Sequence, residues 1–152
     1  MKPTLIISPY SRKLINGKQN AKNYPYWKEL VNILNKKFDI IQIGNSGEDK
    51  IDGCADYKFN LSFDQLKDIT LAAETFISVD NFYPHFCNTI GKYGFVIWGK
   101  SDPNIFGYEK NINIIKDRKF LRPDQFNTWE DVIFNANVFK KLDISDFNNF
   151  NK

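Results

Sequence analysis

Apolar residues in this chain gather in short runs of about five, and between the runs they recur at the three-and-four spacing of a helix face. The first run, TLIIS (Thr4 to Ser8), predicts a buried strand. A long polar loop follows. Trp27, Leu30, Val31, Leu34 and Phe38 then fall on one helical face, which predicts a helix from Trp27 to Phe38. FDIIQI (Phe38 to Ile43) predicts a second strand, and DYKFN (56–60) a short one. Ser62 with Gln65 three residues on is a capping-box pattern. It opens a helix whose inner stripe is Leu66, Ile69 and Ala73. TFISV (Thr75 to Val79) predicts another strand, Pro84 to Ile90 a short helix, GFVIW (Gly94 to Trp98) a strand, and Asn113 to Ile115 a last one. Thr128, with Asp131 three residues on, predicts the cap of a final helix running to about Leu142.

Strands that alternate with helices imply an α/β fold: a single Rossmann-like domain with a parallel sheet and helices on both faces. Residues 1–142 form that domain in this reading, and 143–152 a frayed tail. In such sheets ligands sit beyond the carboxyl ends of the strands. Three loops should therefore share one edge: Ser8 to Lys22, Asp80 to His85, and Gly99 to Gly107.

Length and composition agree with one globular domain: 152 residues, 42% apolar and 16% aromatic. No apolar run reaches the length of a membrane span, and no charged-then-apolar leader opens the chain, so a cytoplasmic protein without a span is expected. Cys54 and Cys87 lack metal-ligand spacing and are expected as free thiols. Charge is uneven. Residues 1–28 carry Lys2, Arg12, Lys13, Lys18, Lys22 and Lys28 and no acid, which is +6, so the rest must sum to −3 for the net of +3. A basic segment can attract nucleic acid or hold one small phosphorylated ligand; no nucleic-acid-binding motif supports the former. Neither GxGxxG nor GxxxxGK[ST] occurs.

The chemistry-bearing residues of that edge have plain readings too. The only histidine, His85, either packs near a helix start or holds a ligand. Asp80 can cap the helix that follows it. Ser8 and Ser11 either close a turn or donate to a phosphate. Ser101-Asp102-Pro103 is most simply a turn, and Gly99 follows its strand directly. Glu48 either contacts a ribose or base or is an exposed loop acid, while Trp98 and Phe106 are expected in the core.

The block FISVDNFYPHFCNTIGKYGFVIWGKSDPNIFGYEKN (76–111) resembles the donor-binding half of the heptosyltransferases, glycosyltransferase family 9. The family pattern is an apolar strand, D-[ST]-G-x-x-H, a short helix, a glycine, a second strand, then [YFW]-G-x-[ST]-D-P and a glycine. Asp80 and His85 match the first motif; Gly91, Trp98, Gly99, Ser101, Asp102, Pro103 and Gly107 match the second part in order and spacing. KNYPYW (22–27) is similar to the family's K-x-W-P segment, and NLSFDQL (60–66) to its helix-leading segment, so the likeness covers about residues 4–110. It implies one half of a GT-B enzyme binding a nucleotide-diphosphate sugar, usually ADP-heptose, with inverting transfer. The sugar nucleotide is then the substrate, and neither cofactor nor metal is needed. It also implies that His85, Lys22 and the amides near Asn81 meet the diphosphate. A lysine and helix-start amides suit that leaving group.

Two departures follow. The family's [ST]-G is Asn81-Phe82 here, and a phenylalanine restricts backbone approach where glycine would permit it. The family's acceptor site and base lie in an N-terminal half, whereas this chain opens at the first strand of the other half. The acceptor side is therefore expected from a separate chain or a homo-oligomer. A non-catalytic module that binds a nucleotide or sugar phosphate is the alternative.

Overall fold

The computed structural model describes the backbone of residues 1–151 and the side chains of residues 1–147. Six strands form one sheet: β1 (Thr4–Ser8), β2 (Asp39–Gly44), β3 (Asp56–Phe59), β4 (Thr75–Val79), β5 (Phe95–Trp98) and β6 (Ile112–Ile115). Every pairing is parallel, in the order β3-β2-β1-β4-β5-β6. That is the order of a doubly wound nucleotide-binding sheet, in which the winding reverses between the first and fourth strands. β1 and β4 sit side by side there, with Ser8 opposite Ser78.

Alternation along the central strands explains the two layers of core. Leu5 and Ile7 of β1, with Ile77 and Val79 of β4, face a cluster that includes Trp27, Leu30, Val31 and Leu34 of α1 (Trp27–Leu34). Ile6 and Phe76 face the other way, against Leu66 of α2 (Phe63–Ala72) and Tyr83 and Cys87 of α3 (Phe82–Thr89). All five residues of β4 are buried, as a strand covered on both faces requires. The capping box of α2 forms as its sequence predicts: Ser62 Oγ accepts from Gln65 N and Gln65 Oε1 accepts from Ser62 N. α1 stops at Leu34, earlier than its apolar spacing predicts, and Phe38 turns into the core at the entrance to β2. Cys54 and Cys87 are free thiols, as expected.

The connection from β2 to β3 carries no helix, and a buried amide organises it instead. Gln42, with no exposed surface, donates from Nε2 to Asp49 O at 2.9 Å and accepts from Ile51 N at 2.8 Å. Gln42→Leu leaves both backbone groups without a partner. It is expected to lower unfolding free energy by about 2 kcal/mol in a denaturant titration; an unchanged midpoint would show that the connection is held by other contacts.

The expected helix from Thr128 to Leu142 does not form. A turn over 129–132 and a single 3-10 turn, Ala136–Val138, take its place. Asn127 and Asn135 bind nearby backbone N–H groups through their side chains, at 2.9 Å to Thr128 N and 3.0 Å to Asn137 N, in competition with a helical ladder. The segment runs across the molecule and buries Trp129, Val138, Phe139 and Leu142 at separate places. Phe139 packs edge-on to Tyr24 at 5.8 Å, and Tyr24 Oη binds both Lys140 O and Leu142 N at 2.9 Å. Contacts continue past residue 142. Asp143 accepts from Ser145 N at 2.9 Å, Lys140 pairs with Asp146, and Phe147 is buried against Phe95 at 4.9 Å. The remaining side chains of the expected tail lie outside the described residues. A short four-residue helix, α4 (Pro103–Phe106), completes the β5–β6 connection. No helix among the described residues is long and apolar enough to cross a membrane.

Candidate functional site

β1 and β4 end at Ser8 and Val79, so the loops that leave them diverge at the reversal point and open a cleft of about 820 Å³. Of the residues singled out in the sequence, Ser8, Ser11, Lys22, Asp80, Asn81, Phe82 and His85 line it. Its charged lining residues are cationic at Arg12, Lys13, Lys22 and Lys58 and anionic at Glu48 and Asp80. Arg12 and Lys58 are also paired outside the lining, with Glu130 at 3.0 Å and Asp56 at 3.5 Å, so the cleft is lined with cations that each have an acidic neighbour.

Asp80 is the hub of the floor. Its side chain is 10% exposed and its Oδ2 accepts from Ser101 Oγ at 2.7 Å and meets Lys22 Nζ at 3.1 Å. Its backbone oxygen accepts from Ser11 Oγ at 2.5 Å. The ammonium of Lys22 also lies 4.8 Å from the centre of the Trp129 ring. Asp80 is therefore a counter-charge for Lys22 and not the cap of α3.

Asn81 is the cap. Its Oδ1 accepts from Tyr83 N at 2.9 Å, and its Nδ2 donates to Ser8 Oγ at 2.9 Å and Tyr10 O at 3.1 Å. One carboxamide thus closes the start of α3 and bridges to the end of β1. Tyr83's amide is occupied in this way, and Pro84 has no N–H to offer. The start of α3 therefore presents fewer free amides than a helix opened by small residues. Phe82 projects 55% exposed over the cleft. His85 sits in the first turn of α3, exposed, with Nδ1 2.6 Å from Tyr108 Oη.

Gly99, Ser101 and Asp102 do not line the cleft. Gly99 allows close packing: a Cβ there would stand 2.7 Å from Cε1 of Phe139 and 2.9 Å from Cγ2 of Val138. Ser101 works through Asp80. Asp102 caps α4 at Asn104 N (2.9 Å) and takes both Arg118 nitrogens at 2.9 and 3.0 Å. That guanidinium holds the Asp102 carboxyl below its ordinary range. Among the described residues, no three His, Cys, Asp or Glu side chains converge on one point.

At the far end the cleft is bounded by the turn after β2. Glu48 accepts from Asn45 N and faces Lys13; burial, opposed by those two groups, raises its carboxyl above the ordinary range. Phe106, expected in the core, packs partly buried against the Ile6–Phe76 cluster and also lines the cleft, where it meets the 78%-exposed Phe126 edge-on at 5.6 Å. Trp98 is buried, with Nε1 donating to Asn113 Oδ1 at 2.9 Å. Gln125, Phe126, Asn127 and Trp129 complete the wall. Sequence reasoning assigned that segment to a loop and the start of a helix and so missed them. A lone tryptophan in the polar stretch FNTWED was the available signal.

Backbone comparison with solved structures finds this fold elsewhere. The E. coli ADP-heptose LPS heptosyltransferase II matches 98% of this chain with a TM-score of 0.63 at 14% identity, over 46% of its own length. The E. coli heptosyltransferase WaaC, solved with ADP, matches 74% of this chain at 0.60 and 13%, over 37% of its own. The fold is heptosyltransferase-like. The dodecameric iron-containing heptosyltransferase TibC, in complex with ADP-D-beta-D-heptose, matches 93% of this chain at 0.62 and 13% identity, over 36% of its own. The chain thus spans less than half the length of these proteins, and at such identities the likeness is one of fold. No protein-family model and no curated protein matches the sequence.

Proposed function

We propose that this domain binds a nucleotide-diphosphate sugar, ADP-heptose-like, in the cleft between the ends of β1 and β4, as the donor half of a GT-B glycosyltransferase of family 9. The observation that carries the reading is the placement of Lys22 and His85 in a cation-rich cleft at the reversal point of the sheet. The fold supports it, being shared with heptosyltransferases solved with ADP and with an ADP-heptose. Lys22 and His85 face the diphosphate, while Glu48, just beyond β2, faces the ribose. Ser8 and Ser11 hold the loop ends in place through Asn81 and Asp80.

In the transfer, the bond from the anomeric carbon to the diphosphate breaks as an acceptor hydroxyl attacks from the opposite side of the sugar. The negative charge grows on the departing diphosphate, where Lys22 and His85 stabilise it without a metal. Because the occupied Tyr83 amide and Pro84 thin out the donors at α3, these side chains carry more of that work than the helix does. The acceptor site and the base are supplied from outside this domain. A non-catalytic binding module is the second reading, favoured by the same closure of the α3 start by Asn81.

Isothermal titration with ADP, UDP, GDP and their sugars tests both. One nucleotide is expected to bind below millimolar concentration, and Lys22→Ala or His85→Ala should each weaken it by about 1–3 kcal/mol. Absence of binding at millimolar concentration by all of them would overturn both readings. Transfer of sugar to water or to an acceptor by the pure chain would separate enzyme from module.

A further inference from the structure

Lys22 lies on a loop without regular secondary structure, at the end of a flexible four-carbon stem, yet its side chain is only 21% exposed. Two groups fix its ammonium: Asp80 at 3.1 Å and the Trp129 ring at 4.8 Å. Trp129 is itself held. It is 9% exposed, packs with Leu14 and Ala21, and has the guanidinium carbon of Arg122 3.7 Å from its ring centre. Arg122 in turn donates to the carbonyl oxygens of Thr128 at 2.8 Å, Gln125 at 3.2 Å and Asn127. Its Nε is buried with no partner, so its orientation is set by those carbonyls and the ring. A ring covered this closely by a guanidinium is not an open platform for a base on that side.

We propose that Trp129, braced by Arg122, is the positioning residue for Lys22. The inference rests on reading the cleft as a diphosphate site. The loop backbone is held by Asn20 and Asn23, and Trp129 carries that order out to the end of the Lys22 stem. The aromatic face attracts the ammonium through its quadrupole, and the Asp80 carboxylate offsets the repulsion between the two cations that share the ring. The two restraints on Lys22 are joined in one network. Gln125 binds Lys100 O and Asp102 N at 2.8 and 2.9 Å, on either side of Ser101, whose hydroxyl holds Asp80. The segment that carries Trp129 is thereby tied to the residue that neutralises Lys22.

The test uses the full chain, with ADP as probe, in wild type, Trp129→Phe, Trp129→Leu, Lys22→Met and the Trp129→Leu/Lys22→Met double variant. A cooperative thermal melt checks each fold. The first readout is the rate of Lys22 acetylation by acetic anhydride, followed by mass spectrometry. Trp129→Leu is expected to raise that rate severalfold, and Trp129→Phe, which keeps an aromatic face, to stay within about twofold of wild type. The second readout is ADP affinity. Trp129→Leu is expected to weaken it about fivefold when Lys22 is present and not at all when it is methionine. An unchanged acetylation rate in Trp129→Leu, a phenylalanine variant that behaves like leucine, or an affinity loss that persists without Lys22 would each overturn the proposal. If wild type binds no ADP, the diphosphate reading falls, and the acetylation rates alone decide the positioning of Lys22.

Discussion

Phe139→Ala is expected to lower unfolding free energy by about 3–5 kcal/mol, the usual cost of emptying a fully packed aromatic site. Phe139 is 2% exposed. Its ring fills the space above Gly99 that a β-carbon would otherwise enter, and meets Tyr24 edge-on. Tyr24 then uses its hydroxyl to hold Lys140 and Leu142. The ring therefore fastens the C-terminal segment to both the sheet and the loop that carries Lys22. Guanidinium titration measures the loss, and hydrogen exchange locates it. Residues 122–147 are expected to lose protection before the strands do, and the Trp129 wall of the cleft with them. A variant with an unchanged midpoint would mean that this segment is not packed as described.

Asp80→Ala carries the second large effect, about 3 kcal/mol, because it strands a mostly buried ammonium and removes the acceptor of the Ser101 hydroxyl. The figure is kept at the low end of the range for broken buried pairs, since Lys22 retains some contact with water. Lys22→Met in the same background should recover part of the loss, because the unpaired charge is then gone. The two single effects should therefore sum to more than the double variant shows, by roughly 1 kcal/mol or more. Strict additivity in denaturant titrations would show that the pair is not formed.

The legible parts of this protein are those in which local pattern and tertiary context agree. The unbroken buried runs of TLIIS and TFISV follow from burial on both faces, and Ser62 with Gln65 closes its own helix start without outside help. The cleft was legible at the level of loops, since a parallel sheet brings the ends of its strands to one edge. Within the loops, side-chain roles exchanged. Asp80 was a candidate cap and Asn81 a departure from the family motif. The structure gives the cap to Asn81 and the counter-charge to Asp80, because the carboxamide can accept from Tyr83 and donate to β1 at once. Ser101 and Asp102 resemble site residues by motif, but they touch the site from behind, Ser101 through Asp80 and Asp102 through its backbone N–H to Gln125.

The sequence by itself determined the α/β order, the parallel sheet, the edge at which the loops meet and the basic character of the first loop. These depend on periodicity, on turn and cap chemistry, and on charge, all of which are local. Only the tertiary structure decided that residues 128–142 cross the molecule as an extended wrap, that Trp129 reaches Lys22, and that Gly99 makes room for Phe139. Each of these depends on contacts between segments far apart in the chain, where burial of an aromatic ring outweighs the modest local preference for a helix.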